Sequence, residues 1–169
     1  MKSCDCTSLS NFDSADSSRN RGSFRIVDFA WEPDGNRFLV IFGENARPDV
    51  SLYTMKEPQF KQVGETLEKK PANNIVWAPQ GQFCVLAGLQ SPALNVNGVL
   101  EFWDMGTEKA GNPPELMGYQ EHLMCNGVVW DPTGRYVSTY VSALRQTHSM
   151  ENGYNIYNSQ VSSRPESRH

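Results

Sequence analysis

Three stretches of this chain share one pattern: "FAWEPDGNRFLVIFGE" (29–44), "IVWAPQGQFCVLAGLQ" (75–90) and "VVWDPTGRYVSTYVSA" (128–143). Each sets an apolar run before Trp-x-Pro-x-Gly and a second apolar run after it. Proline presets its φ and glycine accepts a positive one, so the pattern reads as two antiparallel strands joined by a tight turn. The tryptophans Trp31, Trp77 and Trp130 stand 46 and 53 residues apart. That interval is near the roughly 40–45 residues of a four-stranded propeller blade, with room for loop insertions. The hairpin is therefore one copy of a unit.

Within each unit a third, aromatic strand follows: "VSLYTM" (50–55), "GVLEFWDM" (98–105) and "GYNIY" (153–157). Imperfect alternation in "VLEFWDM" suits a strand buried on both faces between neighbouring sheets. Trp103-Asp104 is the dipeptide that closes this strand in WD-type repeats, with Asp fitting the turn beyond it. A more polar fourth strand fits "FKQVGETL" (60–67) and "PELMGYQ" (114–120), and the third unit lacks one. The expected fold is all-β, a partial propeller of about three four-stranded blades with the last incomplete. Since a closed propeller has about four to eight blades, the chain reads as a fragment whose first and last faces expose apolar area and favour self-association. The structural repeat core comprises Trp31, Pro33, Gly35, Trp77, Pro79, Gly81, Trp130, Pro132 and Gly134, with Trp103 and Asp104.

Composition fits one domain: 169 residues, 38% of them hydrophobic and 11% aromatic, are enough to bury a core. Residues 1–22 are rich in Ser and Asp and read as a disordered tail; 23–157 hold the repeats and 158–169 a polar C-terminal tail. A net charge of −4 argues against nucleic-acid binding driven by the average field. No run approaches the ~20 apolar residues of a membrane helix, and no signal peptide follows Met1, so the chain reads as intracellular with no membrane partner. Cys84 and Cys125 sit in apolar runs as buried free thiols, and Cys4-x-Cys6 has the wrong spacing for a zinc site.

In order and spacing, "FAWEPDGNRF" with "VSLYTM", "LEKKPANNIVWAPQGQFCVLAGL" with "NGVLEFWDM", and "VVWDPTGRYVSTYVS" with "NGYNIY" resemble the B subunit of eukaryotic translation initiation factor 3. The resemblance covers roughly residues 26–157, and initiation factor 2A is the nearest confusable relative. It implies a cytoplasmic, non-enzymatic scaffold piece of the factor 3 complex that supports small ribosomal subunit and mRNA recruitment. The partners it implies are other factor 3 subunits and the small ribosomal subunit. No RNA-recognition-motif signature of the parent subunits is present. Beside this stand a generic WD-type interaction module and a truncated, non-functional copy of the parent protein.

Catalytic patterns are absent from the sequence: His122, His148 and His169 are scattered, and there is no nucleophile elbow or phosphate-cradling loop. An enzyme, a cofactor and a metal are not expected. Glu32, Asp34 and Asp131 lie in the repeated turn, where accepting backbone hydrogen bonds explains them better than carboxylate catalysis. The repeated tryptophans read as packing between units rather than base-stacking platforms. Lys56, Lys61, Lys69 and Lys70, with Arg47, form a loose basic group that is a solvated face by default and the weak candidate for RNA contact.

Overall fold

The computed structural model describes residues 25–33, 35–44, 46–56, 59–92, 95–107, 112–143 and 152–158. The tail expected over 1–22, almost all of the one over 158–169, Cys4, Cys6, Asp34, His148 and His169 lie outside the described residues. Three antiparallel sheets form in chain order. The first holds β1 (Ile26–Trp31), β2 (Arg37–Phe42), β3 (Asp49–Lys56) and β4 (Gln59–Leu67). The second holds β5 (Asn74–Trp77), β6 (Phe83–Gly88), β7 (Val99–Asp104) and β8 (Glu115–Glu121). β9 (Gly127–Trp130), β10 (Tyr136–Val141) and β11 (Gly153–Asn158) make the third, three-stranded among the described residues. Each sheet is a meander of sequence neighbours, and the fold is the expected all-β partial propeller.

The repeated turn is built from the same hydrogen bonds each time. The residue after Trp donates its N–H to the carbonyl five residues on: Glu32 to Arg37 at 2.9 Å, Ala78 to Phe83 at 2.8 Å, Asp131 to Tyr136 at 2.9 Å. The turn glycine then donates back to that same residue, Gly35 to Glu32, Gly81 to Ala78 and Gly134 to Asp131. Gly81 and Gly134 hold φ of +74° and +69°, the left-handed region that glycine enters without steric cost. These closures fix the register, pairing Trp31 with Phe38, Trp77 with Cys84 and Trp130 with Val137. Register in turn decides which side chains share a face.

Three buried clusters form among the described residues: two fill the gaps between sheets, and Phe38, Val40 and Tyr53 make the third on the other face of the first sheet. Leu39, Ile41 and Leu52 of the first sheet meet Ile75, Trp77, Leu86 and Trp103 of the second. On its other face the second sheet turns Val85, Ala87 and Phe102 against Trp130 and Val137 of the third. The second and third sheets thus each present their tryptophan face to the sheet before them. β6 and β7, covered on both sides, are buried almost throughout, which explains the broken alternation of "VLEFWD".

Candidate functional site: the junctions between sheets and the open aromatic face

A buried indole must satisfy its N–H, and here each does so on the neighbouring sheet. Trp77 Nε1 donates to the carbonyl of Ala30 at 3.2 Å, and Trp130 Nε1 to the carbonyl of Val76 at 3.0 Å. Ala30 and Val76 occupy the same place, the residue before the tryptophan of the preceding unit. Trp77 and Trp130 are both 8% exposed. Trp31, expected in the same role, is 48% exposed, because among the described residues no sheet precedes its own. It lies instead on an aromatic ladder, its ring centroid 4.9 Å from Phe38, which stacks on Tyr53 at 5.3 Å.

The first gap also holds a charged lock. Arg37 is 3% exposed, and its Nε donates to Glu32 Oε2 at 2.7 Å. Its Nη1 donates to the carbonyl of Met105 and its Nη2 to that of Gly106, both at 2.8 Å on the second sheet. The second oxygen of Glu32 accepts from Gln82 N–H at 2.8 Å, in the turn of the second unit. Burial favours the neutral carboxyl of Glu32, but the bonds from Arg37 and Gln82 outweigh it and hold the pKa below the ordinary range. Glu32 thus accepts a backbone N–H as expected, but from the turn of the second unit and not from its own. Its carboxylate instead spans two turns, so close to Gly35 and Gly81 that a Cβ at either would lie 2.5 or 2.8 Å from it.

Asp131 behaves as expected, accepting from the backbone N–H groups of Thr133, Arg135 and Tyr136 within its own turn. Its pKa falls to about 2, first through the Thr133 hydroxyl and then through those backbone donors. Asp104 accepts from Gly106 N–H at 2.8 Å in the turn after its strand, and from Gln82 Nε2. Trp103 is buried and donates to Glu101 Oε2 at 2.9 Å. Pro33, Pro79 and Pro132 lie in the three turns, each two residues before the turn glycine.

The basic group does not act as one surface. Lys70 is committed inside the protein, its Nζ 3.2 Å from Glu101 Oε2 and 4.6 Å from the centroid of the Trp103 ring. An ion pair and a cation–π contact together remove it from the phosphate-contacting set. Lys69 is exposed, with φ +55° and its N–H on the Asp49 carboxylate at 2.8 Å. Lys61 is exposed on β4, Arg47 is exposed, and the Lys56 side chain lies outside the described residues.

Other groups with chemical potential are held in packing. Cys84 and Cys125 are buried and unbridged, and burial pushes both thiols up from the ordinary cysteine range. His122 Nδ1 lies 2.7 Å from Thr139 Oγ1, and burial lowers its pKa so that the neutral ring is favoured. Among the described residues no three His, Cys, Asp or Glu side chains gather as metal ligands would, and no helix is long and apolar enough to cross a membrane.

One recurring device escaped the sequence reading. Asn73 donates from Nδ2 to the carbonyl of Leu89 and accepts its N–H, both at 2.8 Å; Asn126 does the same with Ser142 at 2.9 and 3.0 Å. Each clips the entry of one strand to the exit of the next. The signal in the sequence was an asparagine four residues before Trp77 and again before Trp130.

Comparison with known proteins places this architecture. The B subunit of eukaryotic translation initiation factor 3 from Xenopus laevis is 43% identical over 129 residues, covering 76% of this chain and 17% of that protein. The Bombyx mori counterpart is 39% identical over 135 residues, with 80% and 18% covered, and that of Aspergillus niger 39% over 155 residues, with 78% and 20%. The resemblance read from the repeats is borne out by these relatives, of whose length the chain spans about a fifth. A crystal structure described as that of the eukaryotic initiation factor superposes with a TM-score of 0.65 at 18% identity, covering 82% of this chain and 30% of that one. A putative 6-phosphogluconolactonase from Bacteroides fragilis gives a TM-score of 0.50 at 12% identity, with 68% and 31% covered. At those identities the two structures show a shared fold and nothing of function. The family model described as eukaryotic translation initiation factor eIF2A matches residues 9–163, and the chain belongs to that family.

Proposed function

We propose that the chain is a scaffold module of the translation initiation machinery, a set of propeller blades that supports recruitment of the small ribosomal subunit and mRNA. Its partners on this reading are other subunits of initiation factor 3 and the small ribosomal subunit, met in the cytoplasm. The observation that carries the reading is the family match across 9–163, joined to 39–43% identity with proteins named as the B subunit of factor 3. The repeats occupy 23–157 as the working domain, and no catalytic role is assigned to it. What the fold supplies to such a role is rigid display: strands buried on both faces hold turns and edges in fixed places where partners dock. Binding proceeds through these faces and not through free charge, since Lys70 is paired with Glu101.

The test is sedimentation of tagged chain in cell extract on a sucrose gradient. The expected result is co-migration with small ribosomal subunits and factor 3 that survives moderate salt. Migration only at the top of the gradient would count against the reading. So would RNA binding that collapses with salt and vanishes when Lys61 and Lys69 are neutralised, which would make the contact electrostatic.

A further inference from the structure

The lock that Glu32 and Arg37 make between the first and second turns has a counterpart place between the second and third turns, built from different side chains. Aligning the units on Trp-x-Pro-x-Gly sets Ala78 where Glu32 stands, Phe83 where Arg37 stands, and Gly134 and Arg135 where Gly81 and Gln82 stand. Those four line one cavity of about 530 Å³, together with Gly81, which holds the place of Gly35. The first junction shows what such a place takes. There a Cβ on Gly81 would lie 2.8 Å from the Glu32 carboxylate, whereas a Cβ on Gly134 would meet nothing nearer across its junction than Pro79 Cδ at 3.8 Å. Alanine supplies no carboxylate to the second slot.

A cation for one is nevertheless in place. The backbone N–H of Arg135, counterpart of the Gln82 N–H that Glu32 takes, is held by Asp131 at 2.8 Å, but the Arg135 side chain lines the slot, exposed and with no partner among the described residues. Gln80, exposed on the wall formed by the second turn, has a free amide as well. Asp131 is taken up by its own backbone donors and Asp104 by Gln82 and Gly106, and neither lines the slot. We propose that this slot receives the carboxylate of a glutamate on a segment of a partner protein, paired with Arg135, with its methylenes against Ala78 and Phe83. A guanidinium fork matches a carboxylate through two parallel hydrogen bonds. One ion pair at an exposed rim holds a small free acid only weakly, so the acid comes on a chain whose flanking residues fill the rest of a cavity that is within the size range of ligand sites. Nucleic acid fits less well, because it is held by several cations on several phosphates and one cation lines this slot among the described residues. This inference stands apart from the reading of function and would survive its failure.

NMR titration of the isotope-labelled full chain tests it. The probes are a short capped peptide with one glutamate among glycines and serines, the same peptide with glutamine in its place, free glutarate, and hexauridylate. The glutamate peptide should shift the amides of Gly81 and Gly134 and the Arg135 Nε–H. The glutamine peptide should bind at least about tenfold more weakly, the loss expected when a hydrogen bond to a charged group is removed. Arg135→Gln, at an exposed site, should weaken the glutamate peptide by a similar factor. Ala78→Glu gives the second slot the carboxylate that Glu32 gives the first, and should block the peptide; should that variant not fold, Arg135→Gln decides alone. No shift at these groups with the peptide at millimolar concentration, equal binding of the two peptides, or unchanged binding by Arg135→Gln or by folded Ala78→Glu would each overturn the proposal. So would glutarate binding as tightly as the peptide, or hexauridylate taking the slot in preference to it.

Discussion

Arg37→Ala should destabilise the protein by about 3–5 kcal/mol in urea unfolding, because it leaves the Glu32 carboxylate in the gap without its counter-charge. The loss is a large share of the roughly 5–15 kcal/mol typical of a domain. Arg37 also holds the carbonyls of Met105 and Gly106, so its removal loosens the second sheet from the first. The second unit shows an apolar alternative, since Ala78 and Phe83 occupy the places of Glu32 and Arg37. Glu32→Ala with Arg37→Phe should therefore recover at least half of what the single change loses, because removing both charges is far cheaper than stranding one. A double variant as unstable as the single one would mean that the lost packing, and not the stranded charge, sets the cost. Acid acts on the same lock. The Glu32 pKa is held below its unfolded value, so its contribution is complete above about pH 4.5 and fades as pH falls through the lower folded pKa. Wild type should lose stability there faster than the double variant.

Trp77→Ala should lower stability by about 3–5 kcal/mol, whereas Trp31→Ala should lower it by about 1 kcal/mol or less. The residues are chemically identical and hold the same place in their units. They differ in what covers them. Trp77 fills the first gap and bonds Ala30, while Trp31 rests on Phe29 and Phe38 and otherwise faces outward. Equal losses from the two would contradict the assignment of the first gap as the core.

That contrast marks where the sequence stops being sufficient. The strands were legible because the turn is local chemistry: Pro and Gly in a fixed frame close the same hydrogen bonds three times, and the aromatic third strand follows at a regular distance. Burial of a given tryptophan is not local. It depends on whether another sheet lies against that face, and for Trp31 none does among the described residues. Glu32 misled for the same reason, since an acidic residue in a turn looks like Asp131 until its second oxygen is seen to take the Gln82 N–H, 50 residues away. The lysine at 70 resembled its exposed neighbours in composition, yet its stem crosses to Trp103 and Glu101. Pairings set by tertiary approach leave little trace in a single sequence, whereas Asn73 and Asn126, repeated at constant offset from the tryptophan, left one that a closer alignment of the units would have found.

The most direct test of the account is hydrogen exchange at the four indole Nε1–H groups, followed by NMR. The account predicts slow exchange at Trp77, Trp103 and Trp130, whose protons rest on Ala30, Glu101 and Val76, and exchange near the unprotected rate at Trp31. Trp77 or Trp130 exchanging as fast as Trp31 would contradict the claim that one repeated tryptophan ties each sheet to the sheet before it.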